Sequence, residues 1–179
     1  FVRLNSEGTT LSKADFILAM ATNQWVEKNA RQEVRQLVED LNNIGRGFAF
    51  EKAMVLKAGL AMVGAPIGFN LKNFTIDTSQ RIERHWEDIK AHLVTAAKLL
   101  HAFGFDERSL PVKDAVMLPL AMYLNHNDIG EQVVTLAQHQ DKRDAMKKYV
   151  LIACLIQDYW GRGVDTNLSN IRTAIENDD

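Results

Sequence analysis

The side chains of His85, Asp88 and His92 have the spacing of a metal-binding helix face. At about 100° per residue, three such positions lie within roughly 60° of one another. Imidazole and carboxylate ligands both suit zinc or iron, so this face is a candidate metal site. One helix supplies only these three ligands, and no partner cluster stands out elsewhere in the sequence. The alternative is an ordinary polar helix face that borders the buried stripe.

Two Gly-Arg-Gly tripeptides, at 45–47 and 161–163, are candidates for phosphate binding. Glycine-rich backbone can cradle a phosphate, and an arginine can pair with it. Both tripeptides, however, lie where a predicted helix must end, and glycine is the usual terminator there. The sequence contains neither a Walker-type loop followed by Lys-Ser/Thr nor a nucleophile elbow. Helix termination is therefore the alternative interpretation of both tripeptides.

Cys154 is the single cysteine, and it lies in the apolar run 149–156. This position favours a small buried hydrophobic residue over a catalytic nucleophile. One thiol excludes an internal disulfide and fits a reducing compartment, so we expect a cytoplasmic protein. The basic stretch 142–148 includes an acid and is typical of the solvated side of a helix.

Composition and charge argue against several classes of protein. The chain has 179 residues, 46% of them apolar, which is enough for one domain with a proper core. Its net charge of −2 does not support a stand-alone DNA-binding domain, because phosphate contacts require Lys and Arg. The longest uncharged apolar runs are far shorter than the roughly 20 residues of a membrane span, so no membrane partner is expected.

Apolar residues recur three and four positions apart along most of the chain, which predicts an all-α fold. We expect a single irregular bundle of seven or eight helices, with a short strand-like segment at the N-terminus. Pro119 should bend its helix because proline lacks a backbone donor. The predicted helices span residues 13–21, 25–43, 49–63, 79–103, 111–124, 129–139, 141–160 and 167–176.

The sharpest local pattern lies in residues 1–15. Strand-forming residues are followed by a turn that contains Gly8, and Ser12 then caps a helix while Asp15 reaches back toward the cap. This arrangement would hold the Asn5 amide at a strand end, where the amide can both donate and accept hydrogen bonds. The alternative is that Asn5 satisfies only its own turn.

That segment resembles the Phe-x-x-x-Asn-x-x-Gly-x-x-Leu-Ser signature of the GmrSD-type restriction endonuclease N-terminal family. A looser similarity covers residues 160–172, where an aromatic residue, a small polar loop and a helix follow a hydrophobic helix. Together the two segments bracket nearly the whole chain. The resemblance implies a ParB-like nuclease-related fold followed by a long helical region, and this chain is similar to the helical region only.

The resemblance also implies that the catalytic motif lies in a different part of the protein from this helical region. The family's Asp-Gly-Gln-Gln-Arg type motif, associated with nucleotide hydrolysis and DNA cleavage, would lie upstream of Phe1; the tripeptide at 79–81 is no substitute. Residues 1–179 would then form a single helical domain of a larger protein. Within it, residues 1–15 would belong to the interface with the missing upstream domain.

The implied site residues are few. Asn5 matches the family's asparagine and would contribute to the upstream pocket, with Arg3 and Gly8 as weaker cofactor-binding accompaniments. The chain alone would hold no complete catalytic set and no cofactor. A nucleoside triphosphate, a divalent metal and DNA would bind the full-length restriction or phage-defence protein. A non-catalytic helical protein-interaction or scaffold module is the alternative, and the oligomeric state is left open.

Overall fold

A computed structural model describes residues 5–6, 9–10, 12–156, 160–161 and 163–177. Eight α-helices pack together within these residues, which confirms the predicted all-α bundle. Short 3₁₀ turns lie at Leu71–Asn73, Glu131–Val134 and Ala137–His139. The elements are β1 (Asn5–Ser6), β2 (Thr9–Thr10), α1 (Lys13–Thr22), α2 (Ala30–Asn42), α3 (Lys52–Met62), α4 (Ile76–Arg84), α5 (Trp86–Ala102), α6 (Lys113–His126), α7 (Gln140–Leu155) and α8 (Val164–Glu176).

Helix α6 forms the centre of the bundle. Every residue from 115 to 122 is buried, because α3, α5, α7 and α8 pack around this helix. A helix that is apolar on all sides is stable in water only when it is enclosed in this way. The apolar run 115–124 of the sequence is therefore the core helix of the fold.

Pro119 lies inside α6 and cannot donate a hydrogen bond to the carbonyl of Ala115. The hydroxyl of Tyr149, on α7, donates to that carbonyl instead, at 2.5 Å. A buried carbonyl without a donor would be costly, so this contact compensates for the proline. It also fixes the position of α7 along α6.

Helix α2 begins five residues later than predicted, at Ala30 instead of Trp25. The side chain of Asn29 caps it by accepting a hydrogen bond from the backbone N–H of Gln32, at 3.1 Å. The backbone N–H groups before Asn29 donate to the carboxylate of Glu83. The Asn29 cap therefore marks the start of α2, and the residues before it are held by a separate carboxylate.

The single long helix predicted over 79–103 is divided. Thr75 caps α4 by accepting from the N–H of Thr78, so the helix starts at Ile76, three residues ahead of the predicted start. The backbone at His85 has a ψ of 13° and separates α4 from α5. The next helix begins at Trp86, whose buried indole N–H donates to Glu33 at 2.7 Å.

The prediction of a helix over 129–139 is also wrong, because the segment contains two short 3₁₀ turns instead. Arg143 connects this segment to the helix that follows. Its guanidinium donates to the backbone carbonyls of Val133, at 2.9 Å, and Leu136, at 2.5 Å. Helix α7 follows and ends at Leu155, short of the predicted residue 160.

Candidate functional site

Ser12 and Asp15, at the end of the 1–15 segment, connect it to the bundle through hydrogen bonds and an ion pair. The Oγ of Ser12 accepts from the Asp15 N–H at 3.1 Å and donates to the Asp15 carboxylate at 2.7 Å, which confirms the predicted cap. The other oxygen of Asp15 pairs with Lys52 of α3 at 2.7 Å. The bonds from Lys52 and Ser12 hold the pKa of Asp15 below its usual value. The start of α1 is thus tied to α3.

The short ladder before α1 places the backbone of Asn5 opposite Thr10 and that of Ser6 opposite Thr9. Arg3 and Gly8 lie outside the described residues, and so does the side chain of Asn5. The structure therefore establishes the strand position of Asn5 and the anchoring of Ser12. The contact of Asn5 with an upstream pocket stays a prediction.

The three metal candidates have different environments. His85 and Asp88 are exposed, and the His85 Nδ1 lies 3.9 Å from the Asp88 carboxylate. His92 is buried, with 8% of its surface exposed, and its Nδ1 has no hydrogen-bond partner. It lines a separate cavity of about 360 Å³ beside Asp40 and Glu131. Across the described ranges, no three His, Cys, Asp or Glu side chains form a metal-binding group.

The first Gly-Arg-Gly tripeptide ends α2, as its alternative interpretation proposes. Gly45 and Gly47 have φ values of +63° and +93°, in the region that favours glycine. A Cβ at Gly45 would approach the His101 ring to 2.1 Å, so any other residue would be strained and would force that ring to shift. Arg46 forms an ion pair with Asp106 at 3.0 Å. The arginine of this tripeptide is therefore already paired with a carboxylate.

Gly163 of the second tripeptide has a φ of +75° and lies at the start of α8, while Arg162 lies outside the described residues. Gly161 lines a cavity of about 520 Å³ together with Lys57 and Trp160. Only 14% of the Lys57 side chain is exposed. Its ammonium lies 3.4 Å from the carboxylate of Asp114 and 3.2 Å from the carboxylate of Asp165. Its charge is thus neutralised by acids in the first turns of α6 and α8, which leaves little attraction for a phosphate.

Cys154 is half-buried, and burial raises the pKa of its thiol. A raised pKa lowers the thiolate fraction at neutral pH, and the thiolate is the nucleophilic form. The thiol environment therefore agrees with the interpretation of Cys154 as a small apolar residue.

Glu83 occupies the most elaborate polar site that the structure describes, and no local pattern in the sequence indicates it. Its side chain is buried and accepts backbone N–H donors from Val26, Glu27 and Lys28, at 2.9, 2.7 and 2.8 Å. Burial opposes the charge of Glu83, yet the three donors and the nearby Lys28 hold its pKa below the usual value. Successive N–H groups of this kind form an anion-binding nest, here filled by the protein's own carboxylate.

The end of α7 presents apolar side chains to solvent. Leu151, Ile152, Leu155 and Ile156 are exposed, and Leu155 retains 83% of its accessible surface. We call these four residues the α7 apolar patch. Contiguous exposed apolar surface of this kind marks interaction sites in monomeric proteins. The sequence run 149–156 is apolar throughout, yet this side of its helix is exposed.

No family model matches the chain, and no curated protein matches it significantly. Among the described residues, no helix has both the length and the apolar composition needed to cross a bilayer.

Proposed function

We propose that this chain is the helical portion of a GmrSD-like restriction or phage-defence protein. It supports an upstream ParB-like, nucleotide-hydrolysing and DNA-cleaving domain, completes the pocket of that domain through Asn5, and is not catalytic alone. The observation that carries the proposal is the signature in residues 1–15. Its Ser12–Asp15 cap, tied to Lys52, supports this role because it gives the segment a rigid attachment to the bundle.

The partners of the buried Glu83 and the half-buried Lys57 support the non-catalytic part of the proposal. Glu83 is saturated by three backbone donors, and Lys57 lies between two carboxylates. A catalytic acid, base or nucleophile needs a proton or a lone pair that is free to reach a substrate. Both of these groups instead connect parts of the fold.

The reading frame around the coding sequence tests this proposal directly. We expect an in-frame segment upstream of Phe1 that encodes a Gln-Gln-Arg motif, preceded by its own start codon. A start codon close to Phe1, with no such motif in frame, would contradict the proposal.

A scaffold or interaction module unconnected with any nuclease is the second candidate. The α7 apolar patch favours it, since a surface of exposed leucine and isoleucine is suited to a protein partner. The same reading-frame observation separates the two candidates, because this module requires no upstream Gln-Gln-Arg motif.

A further inference from the structure

We propose that the α7 apolar patch and the neighbouring groove between α7 and α8 bind an amphipathic helix of a partner polypeptide, and that this helix carries acidic side chains beside its apolar face. This inference goes beyond both candidate functions, since it names the kind of partner and the surface that the partner contacts. It does not depend on which of the two applies.

The α7 apolar patch has the shape of a helix-binding stripe. Leu151 and Leu155 are four residues apart, as are Ile152 and Ile156, so the side chains form two adjacent rows. Three of the four expose 44–46% of their surface, and Leu155 exposes more. An amphipathic helix that covers the rows would remove this apolar area from water.

The groove continues the patch along α7. It is a cavity of about 300 Å³ between α6, α7 and α8, and its lining is mostly apolar. Tyr149, in its wall, precedes Ile152 by three residues and therefore shares that side of the helix. A partner helix lying on the patch can insert an apolar side chain into this cavity. The lining residues are Pro119, Leu120, Tyr123, Ala145, Met146, Tyr149, Ile171 and Ile175.

Two lysines beside the α7 apolar patch indicate the charge of the partner helix. Lys147 and Lys148 are exposed and lie one helical turn before Leu151 and Ile152. In the part of the chain that the structure describes, neither lysine forms an ion pair. Asp144, on the same helix, accepts a hydrogen bond from Gln140 at 2.8 Å. Acidic residues on the partner would complement these lysines, and charge complementarity provides specificity.

Two other occupants fit the surface less well. In a symmetric dimer, the patches of two copies would face each other, and the four apolar residues of the patch would offer no carboxylate to Lys147 and Lys148. A flat lipid surface would meet the exposed rows but would not follow the recessed groove between α7 and α8. A helix provides both the apolar side chains and the acids.

Fluorescence anisotropy with two synthetic labelled peptides tests the proposal on the intact 179-residue chain. Both peptides carry leucine at heptad positions a and d; one has glutamate and the other lysine at positions e and g. We expect the glutamate peptide to bind about tenfold more tightly at low salt, and the preference to shrink as salt screens the charges.

Substitutions then locate the binding surface. Leu155→Glu should weaken binding of the glutamate peptide by about tenfold or more, because it places a charge in an apolar contact. Ile76→Glu, at another exposed apolar position with 62% exposure, is the matched control and should leave binding unchanged. Lys147→Glu should reduce the preference for the glutamate peptide, whereas Lys72→Glu should not. Unchanged far-UV circular dichroism would show that Leu155→Glu folds normally.

Several results would overturn the proposal. Binding of neither peptide, equal binding of both, or binding insensitive to Leu155→Glu would each exclude an acidic helix at this surface. Self-association in sedimentation that Leu155→Glu abolishes would assign the patch to a second copy. Leu155-dependent recruitment to phosphatidylserine vesicles, without peptide binding, would assign it to a membrane surface.

Discussion

Glu83 connects α4 with residues 26–28, more than fifty positions earlier in the chain. Each of its three donors is a backbone N–H, and hydrogen bonds to a charged acceptor are roughly twice as strong as neutral ones. Glu83→Gln keeps the shape of the side chain but removes the charge and turns an amide donor toward N–H groups. We expect a loss of about 3 kcal/mol in the free energy of unfolding, measured by urea denaturation.

The same substitution should change the pH dependence of stability. The pKa of Glu83 is lower in the folded protein than in the unfolded chain, so its contribution is complete above the unfolded value. That contribution is lost as the pH falls through the lowered folded value. Glu83→Gln should therefore flatten the acid limb of the stability curve. Glu39→Gln, at an exposed carboxylate on α2, is the control and should cost less than about 1 kcal/mol.

Asn5 is the residue through which the proposed function acts. In the proposed longer protein, Asn5→Ala should lower nuclease or nucleotide-hydrolysing activity by about 100-fold, a typical cost of losing one active-site hydrogen bond. The far-UV circular dichroism should stay unchanged. Asn127→Ala, at a turn where the side chain donates to the Tyr123 carbonyl, is a matched control that should keep its activity. Equal behaviour of the two variants would make Asn5 a turn residue only.

At the scale of elements, α6 and α7 are joined where Pro119 interrupts the α6 ladder. Tyr149→Phe removes the donor to the Ala115 carbonyl and should cost about 1–2 kcal/mol of stability. Pro119→Ala restores a backbone N–H that can reach the same carbonyl, so the cost of Tyr149→Phe should be smaller in that background. A double-mutant cycle by chemical denaturation measures this coupling.

The control for this cycle is Tyr123→Phe, on α6 itself, which should cost little because the Ala115 carbonyl keeps its donor. Additive costs of Tyr149→Phe and Pro119→Ala would show that the tyrosine does not compensate for the proline. The account of how α7 is positioned would then be wrong.

Sequence reasoning identified most helices because apolar periodicity is a local property. It also identified the Ser12–Asp15 cap, whose partners are three residues apart. Contacts with distant partners could not be predicted in the same way. Residues 26–28, before α2, are held by Glu83, far along the chain. The irregular segment before α7 is held by Arg143, which lies outside that segment.

The candidate site was less predictable than the fold, for a related reason. Glycine at 45 and 47 was correctly interpreted as a helix end, since positive φ is a local requirement. The position of Lys57 between Asp114 and Asp165 depends on how α3, α6 and α8 pack together. Similarly, periodicity shows that α7 has apolar residues on several sides, but only the packing shows which side is exposed.

At the scale of the whole molecule, the helices form a frame whose charged groups mainly hold its parts together. The core extends from α1 to α8 around α6, and the cavities lie at its surface between helices. Such a frame can position a neighbouring domain or bind a partner helix. Neither role requires bond-breaking chemistry from residues 1–179.

A turnover assay on the purified chain tests this central claim most directly. Residues 1–179 should be incubated with ATP, GTP or plasmid DNA in the presence of magnesium or manganese, with phosphate release and DNA cleavage followed over time. We expect rates equal to those of the protein-free buffer. Reproducible hydrolysis or cleavage that copurifies with the folded chain would contradict the account.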